Sequence, residues 1–486
     1  MKKFIALFLA FTALAALFAA CSDKPEVPAD IGTSSAAPGS SEAPAKTETA
    51  LPPLDVKKYG GEEFTVLWPE PHPDGHFMHN EIAVAEENGD VIDSAVYKRN
   101  VAVETAYDIK IVQQLMWCSN ISGKVESDIK AGDNNYDAFC APIAMVVNYG
   151  ASGVCADYKG MPYYSEDMPW WNHGVMDEFA LRGHRFFGSG DIIFSDNFYP
   201  MTVMVNSDVY TTHKLPDDLF GTVKDRKWTF EKLIELSKDL PSSSDDVWDG
   251  NDNYGVLVYN SALRALFSGF GGHFSSLNDA GDPEWVMTAD NSQDKVEAII
   301  NFFNNGHIAY DSSNDNAADD NKKFIGGQVL FFVAELITAE RLVPLGMEDY
   351  WLLPMSLYNT DQPDYICVMN DAVVVSVPAN ADLERSSLIL SALGRESVDT
   401  LTPAFFDIVL SNRYINDFGS LEMLGIILDT VSAPDLAVVF NWGSCKNLIG
   451  DMARKNTVDL EGTLKPIKNT VNALIKNFSK SMDGLD

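Results

Sequence analysis

One stretch of the sequence, residues 186–240, limits the possible folds more than any other. It contains two short apolar segments on either side of a polar segment at 195–199, and a helical pattern follows at 228–240. We interpret the polar segment as a crossing, where the chain leaves one lobe and enters another. A length of 486 residues favours the same division, because one ordinary hydrophobic core does not grow that large. The stretch therefore predicts a two-lobed clamp with a ligand held at the boundary between the lobes.

The segments before the crossing alternate between strand and helix patterns. Asp93 stands where the N-cap of the first helix is expected, since a carboxylate there can accept hydrogen bonds from backbone N–H groups. A β-α-β-α order predicts a parallel sheet covered by helices. The predicted elements are a strand at 64–68, a helix at 94–107, a strand at 108–113, a helix at 122–131 and a strand at 135–140.

After the crossing the alternation continues and then gives way to helices. The apolar run at 372–377 is typical of a strand that is buried on both faces. The whole chain therefore predicts an α/β protein. The other predicted elements are strands at 201–205, 254–258 and 350–354, a helix that runs into a strand at 322–333, and helices at 228–240, from 263, at 292–304, 383–393, 399–411, 421–430 and 464–479.

The chain is strongly acidic, with a net charge of -35. Nucleic acids and anionic membrane surfaces attract basic protein faces, so this charge argues against both as partners. The sequence contains no Gly-x-Ser-x-Gly, no phosphate-binding loop and no His-Glu-x-x-His motif. We therefore predict no catalytic residue and no enzyme activity. The 70 Asp and Glu residues still provide chance acid pairs, so a glycoside hydrolase stays open as an alternative.

The first part of the chain, residues 1–20, has the features of an export signal. Two lysines at 2–3 precede an apolar segment at 4–18, and two alanines precede Cys21. This pattern resembles a bacterial lipoprotein signal, in which the cysteine receives acyl chains such as palmitate. Ordinary cleavage and a retained membrane anchor are the alternatives.

Residues 21–55 are rich in Pro, Ala, Ser, Thr and Glu and have almost no large apolar side chains. Such a segment cannot bury a core, so we predict a disordered tether. Together with acylation of Cys21, the tether would hold the protein at the outer face of the cell membrane.

The remaining cysteines are widely spaced and form no Cys-x-x-Cys pair, so they indicate neither a zinc site nor a disulfide scaffold. We interpret them as small buried side chains, with one disulfide still open in an exported protein. They are Cys118, Cys140, Cys155, Cys367 and Cys445.

Several short segments, taken in order, resemble one protein family. They are Trp170-Trp171, residues 90–100, 227–231 and 401–406, and the series Leu353-Pro354, Gln362 and Tyr365. Region 60–441 resembles the extracellular solute-binding lipoproteins of bacterial ABC importers, in their maltose-binding-like, sugar-binding branch. The sequence departs from the family pattern after Pro354, where Met355 follows, and at Asn416, where an arginine is expected. These departures affect the identity of the ligand more than the fold.

The resemblance implies an α/β, two-lobed, type II periplasmic-binding-protein-like fold with a hinge of about three crossings. It implies an N-terminal lobe of residues 56–196 and 316–370 and a C-terminal lobe of residues 197–315 and 371–486. The crossings would then lie near 196, 316 and 370. Opening and closing would be a rigid-body hinge motion that the ligand biases toward the closed form.

The resemblance also implies a function without catalysis. A monomer, anchored through its N-terminal lipid, would capture a carbohydrate between the lobes and deliver it to the permease subunits of an ABC transporter. No cofactor is implied. The alternatives are a non-sugar solute, a sensor or scavenger role, and, in third place, a surface glycoside hydrolase.

Sugar sites combine aromatic faces with planar polar side chains, which guides the choice of candidate residues. Trp68 ends the first predicted strand, where α/β proteins bind ligands, and Trp442 lies in a glycine-containing loop. For the tryptophans, the alternative to ligand binding is packing in the core. For Glu70 and Asp93 it is helix capping or exposure to solvent, and for the residues at the crossings it is hydrogen bonding within the hinge. The predicted ligand-binding residues are Trp68, Glu70, Asp93, Trp171, Asp196, Asn197, Asn370, Asp371 and Trp442.

Two groups of polar side chains have some features of metal sites, but we predict no metal. His72, His76 and His79 lie close together with carboxylates, yet Pro and Gly around them disfavour ordered helical spacing. Residues 245–255 share part of the spacing of a calcium loop but lack its closing Glu. A polar surface turn is the better interpretation of that loop.

Overall fold

Two β-sheets and the helices around them form the part of the protein that a computed structural model describes. The described residues are 53–485 without 73–77, 217, 348, 371 and 416, and the side chains of 196–197, 407–408 and 411–413 are not described either. The predicted signal, Cys21 and most of the predicted tether lie outside the described residues.

The strands belong to two larger sheets and two short strand pairs. They are β1 (Glu62–Pro69), β2 (Ile109–Met116), β3 (Ala138–Pro142), β4 (Met201–Asn206), β5 (Tyr254–Val258), β6 (Ser275–Leu277), β7 (Pro283–Trp285), β8 (Ala309–Asp311), β9 (Val329–Glu335), β10 (Tyr350–Pro354), β11 (Cys367–Val368), β12 (Val373–Ser376) and β13 (Val431–Ser432).

Helices cover both sheets, and a π-helical segment spans Ala404–Tyr414. Among the described residues, no helix combines the length and the apolar character needed to cross a membrane. The α-helices are α1 (Val91–Tyr107), α2 (Cys118–Ala131), α3 (Ile143–Ala151), α4 (His173–Glu178), α5 (Ser207–Thr212), α6 (Leu219–Lys224), α7 (Phe230–Ser237), α8 (Asn260–Gly269), α9 (Ala289–Asn304), α10 (Ala317–Ile325), α11 (Thr338–Leu342), α12 (Leu383–Asp399), α13 (Leu401–Pro403), α14 (Phe418–Asp429), α15 (Leu436–Val439), α16 (Cys445–Arg454), α17 (Leu460–Leu464) and α18 (Lys468–Ser481).

The first sheet has the strand order β12-β3-β1-β2. Strand β1 is parallel to β2 and β3, whereas β12 is antiparallel to β3. Phe64, Val66, Leu67 and Trp68 of β1 are buried almost without interruption, as expected for a parallel strand covered on both faces. The β-α-β-α order that the sequence predicts is confirmed here.

Helix α1 begins earlier than the sequence predicts. Asp90 is its N-cap, and one carboxylate oxygen accepts hydrogen bonds from the N–H groups of Ile92 (2.9 Å) and Asp93 (3.1 Å). Ile92 is buried and already belongs to the apolar face of the helix. Asp93 therefore lies in the first turn, and its prediction as the N-cap is wrong.

The second sheet has the strand order β10-β4-β9-β5-β8. Strand β5 is parallel to β8 and β9, and β4 is antiparallel to β9 and β10. All residues of β4 and β5 are buried, because helices such as α5, α7 and α10 pack on the sheet.

Segment 316–370 and the first part of segment 371–486 belong to the opposite sheets from those predicted, whereas α14, later in the second segment, packs on β10 of the second sheet. Strands β9 and β10, in segment 316–370, pair with β4 in the second sheet, whereas β12, in segment 371–486, pairs with β3 in the first. Helix α12 then packs on α1 of the first sheet. Apolar runs show that these strands are buried but not with which strand they pair, so the sequence could not assign them.

Within the described part of the chain, three segments pass between the two sheets. The first lies at 195–200 before β4, the second between β11 and β12, and the third between the π-helical segment and α14. The predicted crossing near 316 is not one, because α10 joins β8 to β9 within the second sheet.

Backbone hydrogen bonds hold the crossing segments side by side. The N–H of Asn370 donates to the carbonyl of Tyr199 at 3.1 Å, and that of Met369 donates to Ser432 at 2.8 Å. Pro200 and Met369 also form an antiparallel bridge. We call residues 198–200, 369–370 and 431–432 the seam.

Candidate functional site

The parallel strands β5, β8 and β9 end at the same edge of the second sheet. Ligands of open α/β sheets bind at such carboxyl edges. A cavity of about 280 Å³ lies there, and we call it the seam cavity because its Glu335 bonds to Asn370 of the seam. Its polar lining residues are Tyr259, Asn260, Ser312, Ser313, Asp315, Asp320, Asn321, Glu335, Thr338 and Arg341.

Glu335, at the end of β9, is fixed by hydrogen bonds to both of its oxygens. The Tyr259 hydroxyl donates to Oε2 and Asn370 Nδ2 donates to Oε1, both at 2.6 Å. Arg264 in turn donates to the side-chain oxygen of Asn370 and, at 2.8 Å, to the carbonyl of Lys446. Burial and the charge of Glu335 raise the pKa of Tyr259 well above its ordinary value, so the hydroxyl stays a donor.

Two charged side chains of the seam cavity have unused hydrogen-bonding capacity. Asp320 accepts a bond from the Ser312 hydroxyl at 3.1 Å through Oδ2, while Oδ1 is buried and has no partner among the described residues. Burial raises the pKa of Asp320 to about 7, although the bond from Ser312 opposes the rise. Nε and Nη2 of Arg341 are also buried without a partner in the described part of the chain. The cavity can therefore bond additional polar groups.

The loop that follows β1 reaches the same part of the molecule. His79 in this loop lies 2.8 Å from Glu340 of α11, between Nε2 and Oε1, and its ring contacts Phe194 edge-on. Burial lowers the pKa of His79, but the hydrogen bond and charge of Glu340 outweigh that effect and raise it. This ion pair joins the loop after β1 of the first sheet to α11, which follows β9 of the second sheet in the chain.

The three tryptophans predicted to bind ligand are buried in packing contacts instead. Trp68 is 0% exposed, and Trp171 and Trp442 are each 5% exposed. Trp171 contacts the Tyr158 ring edge-on, and Trp442 stacks on Phe440. A buried indole has no free face for a sugar, so we exclude these three from the proposed site.

The predicted polar residues whose side chains are described do not come together. Glu70 is half-buried at the end of β1. Asp93 accepts a bond from Asn88 at 2.5 Å and lines a separate groove of about 750 Å³ between α1 and β2. Among the predicted residues whose side chains are described, only Asn370 contacts the seam cavity, through Glu335.

The remaining predicted residues cannot be placed by their side chains. The backbone of Asp196 and Asn197 lies in a 3₁₀ turn, Ser195–Phe198, directly before β4. Their side chains, Asp371 and Cys21 lie outside the described residues.

Trp117 is an exposed aromatic side chain at the carboxyl end of β2. It is 40% exposed, and its ring centroid lies 5.0 Å from that of His72 in the loop that follows β1. Its position at the carboxyl edge of the first sheet suits a contact with a sugar ring.

The described residues contain no group of three or more His, Cys, Asp or Glu side chains arranged to hold a metal ion. His76 of the predicted histidine cluster lies outside them. In the loop at 245–255, Asp249 and Asp252 instead bond to backbone N–H groups within the loop. Cys140, Cys155, Cys367 and Cys445 are free thiols, and all four are buried.

Four residues of the seam cavity were not identified from the sequence. Tyr259 and Glu335 follow or end strands β5 and β9, whereas Asp320 and Arg341 come from α10 and α11. A polar residue directly after a buried strand was the available signal, and applying it to the second sheet would have selected Tyr259 and Glu335.

The fold resembles that of several solved sugar-binding proteins. An extracellular solute-binding protein from Staphylococcus aureus in complex with maltose has a TM-score of 0.58 and 12% identity, with 85% of this chain and 98% of that chain covered. An ABC substrate-binding protein from Listeria monocytogenes in complex with cycloalternan has a TM-score of 0.55 and 14% identity, covering 86% and 99%.

A third similar structure is the galacto-N-biose/lacto-N-biose I-binding protein of an ABC transporter from Bifidobacterium longum, in complex with lacto-N-biose. Its TM-score is 0.54 at 12% identity, with 87% of this chain and 99% of that chain covered. No protein-family model and no curated protein matches the sequence. The chain therefore has the two-lobed, maltose-binding-protein-like α/β fold, as the sequence predicts.

Proposed function

We propose that the protein binds a carbohydrate at the seam cavity and serves as the solute-binding component of an ABC importer. The observation that carries the proposal is the fixed carboxylate of Glu335 in a cavity of polar side chains at the carboxyl edge of the second sheet. The bound sugars of the structurally similar proteins support the same ligand class.

The cavity has the chemistry that sugar hydroxyls require. Each hydroxyl both donates and accepts, and Glu335, Asp320 and Arg341 offer acceptors and donors in positions held by the fold. Trp117 would supply an aromatic face from the first sheet. Because contacts would come from both sheets, the ligand would favour the form in which they lie together.

We assign binding and not catalysis to this site. Tyr259 and Asn370 each donate to one oxygen of Glu335, which holds the carboxylate in place and leaves its other lone pairs to accept bonds from sugar hydroxyls. Incubation with a bound glycan followed by chromatography should recover the glycan intact, and release of a smaller product would contradict the assignment.

The direct test is a thermal-shift screen of the mature protein against neutral and acidic glycans, peptides and divalent metals. Binding of a saccharide should raise Tm by about 3 °C or more near saturation. Glu335→Gln should weaken that saccharide's affinity in calorimetry, whereas Glu297→Gln, an exposed change on α9, should not. A shift with peptides or metals and with no saccharide would refute the sugar assignment.

We also propose that acylation of Cys21 anchors the protein at the outer face of the membrane as a monomer. The lipoprotein-like signal before Cys21 supports this. Cys21→Ala should move the protein from the membrane fraction to the soluble fraction and abolish palmitate labelling, and Cys118→Ala should do neither. Deleting the gene should stop cellular uptake of the bound saccharide if the protein delivers it to a permease.

A further inference from the structure

We propose that the saccharide is acidic and that Arg341 binds its carboxylate group. This inference rests on the function proposed above and names the class of sugar. It concerns one edge of one guanidinium group in the seam cavity.

Arg341 extends from α11 into the lining of the seam cavity. The edge formed by Nε and Nη2 is buried and has no hydrogen-bond partner among the described residues. Two N–H groups on one planar edge match the two oxygens of a carboxylate. Leaving such donors buried and unpaired destabilises the unliganded protein, which suggests that a ligand supplies the acceptors.

The acidic residues of the cavity do not bond to the Nε–Nη2 edge of Arg341. Glu335 accepts bonds at both oxygens from other side chains, and Asp315 lies 3.8 Å from the amino group of Lys323. Asp320, with a pKa raised to about 7 by burial, is partly uncharged near neutral pH. Within the described residues, none of the three forms an ion pair with Arg341, so its Nε–Nη2 edge has no direct counterion there.

This isolation is unusual in a chain with 70 Asp and Glu against 35 Lys and Arg residues. Asp315, Asp320 and Glu335 line the same cavity, yet none of them bonds to the Nε–Nη2 edge of Arg341. A neutral diol could accept both hydrogen bonds but would leave the buried charge uncompensated. A uronic acid supplies both the acceptors and the charge, and its hydroxyls remain for the rest of the cavity.

The experiment compares sugars that differ only in the carboxylate. Oligogalacturonates are titrated into the protein beside galactose oligomers of the same linkage and length, and glucuronate-substituted xylo-oligosaccharides beside unsubstituted ones. Sodium acetate and sulfate at the same ionic strength separate saccharide recognition from simple anion binding. We expect at least one acidic member to bind about 10-fold or more tightly than its neutral partner, the range for charge-assisted hydrogen bonds.

Two variants and one control then test Arg341 itself. Arg341→Gln should weaken binding of the acidic sugar by about 10- to 100-fold. The affinity of Arg341→Lys should lie between those of Arg341→Gln and the wild type, because lysine keeps the charge but lacks the planar edge. Arg226→Gln removes an exposed guanidinium that bonds to the carbonyl of Gln362, and it should leave the affinity unchanged. Without ligand, Arg341→Gln should match or exceed the wild-type Tm, because a buried unpaired charge is removed.

The outcomes separate this inference from the function on which it rests. Equal binding of neutral and acidic partners, unchanged acid-sugar affinity in Arg341→Gln, or a Tm loss in that variant without ligand would each overturn the role of Arg341 while sugar binding stands. Binding of acetate or sulfate as tight as that of the uronates would reduce the site to an anion site and overturn the inference. Absence of binding by every saccharide would refute the proposed function as well.

Discussion

Replacing Glu81 by alanine should destabilise the protein strongly, because this side chain ties the loop that follows β1 to the first crossing. Glu81 is 1% exposed, and its Oε2 accepts hydrogen bonds from the backbone N–H groups of Phe194 at 2.7 Å and Ser195 at 3.0 Å. The buried guanidinium of Arg99 donates to the carbonyls of Glu81 and Ile192, at 2.8 and 2.9 Å, which fixes the same two segments.

The size of the effect follows from the two lost bonds. Hydrogen bonds to a charged group each contribute about 1.5–3 kcal/mol, and Glu81→Ala also leaves two buried N–H groups without an acceptor. We expect the free energy of unfolding to fall by about 3–5 kcal/mol. Burial raises the pKa of Glu81, so its charge is itself costly, and Glu81→Gln retains an oxygen for both donors. That variant should lose only about 1 kcal/mol or less.

Guanidinium unfolding followed by circular dichroism measures both variants. Glu87→Ala is the matched control, since Glu87 lies in the same loop, is exposed and only approaches Lys98 at 3.5 Å. The free energy of unfolding of Glu87→Ala should stay within about 0.5 kcal/mol of the wild-type value. A free energy of unfolding for Glu81→Ala within about 1 kcal/mol of the wild-type value, at an unchanged m-value, would refute this role of Glu81.

Three further perturbations have defined signs. The pKa of Asp320 is raised from 3.8 to about 7, so Asp320 contributes most to stability below pH 3.8, and that contribution is lost as the pH rises through 7. The Tm gain of Asp320→Asn should therefore be larger by about 2 °C at neutral pH than in acid. The pKa of His79 is raised, so its ion pair with Glu340 stabilises the protein below pH 6.5, and this stabilisation is lost as the pH rises above the folded-state pKa. His79→Gln should lower the free energy of unfolding by about 0.5 kcal/mol near pH 5.5 and by almost nothing near pH 8.5. Equal losses at both pH values would contradict this. Arg182→Ala, which breaks bonds to Asp282, Asp483 and the carbonyl of Ser479, should lower the free energy of unfolding by about 2 kcal/mol, against under about 0.5 for Arg226→Ala.

Local patterns predicted much of the secondary structure. The run at 64–68 became the core of β1, and the apolar positions at 94–107 became the buried face of α1. Helix α1 nevertheless begins before Asp93, because Asp90 offers the same capping chemistry one turn earlier. Two acids three residues apart give nearly the same N-cap signal, so periodicity alone could not choose between them.

Sheet membership and the candidate site depend on contacts between distant residues. Strands β9 and β12 are both buried on both faces, so their apolar runs carry no information on which sheet each joins. Trp68 lies near the end of β1 but points into the core, whereas Tyr259 and Glu335, at strand ends of the second sheet, bond to each other in the seam cavity. The lack of a partner for Nε and Nη2 of Arg341 among the described residues depends on every neighbouring side chain and has no signature in its own segment.

A crystal structure of the protein with the saccharide that gives the largest thermal shift is the most direct test of sugar binding at the seam cavity. The predicted result is sugar density in this cavity, with hydroxyls bonded to Glu335 and a carboxylate, where the sugar has one, on the Nε–Nη2 edge of Arg341. Density in the groove between α1 and β2, or elsewhere with the seam cavity unoccupied, would contradict the proposed site.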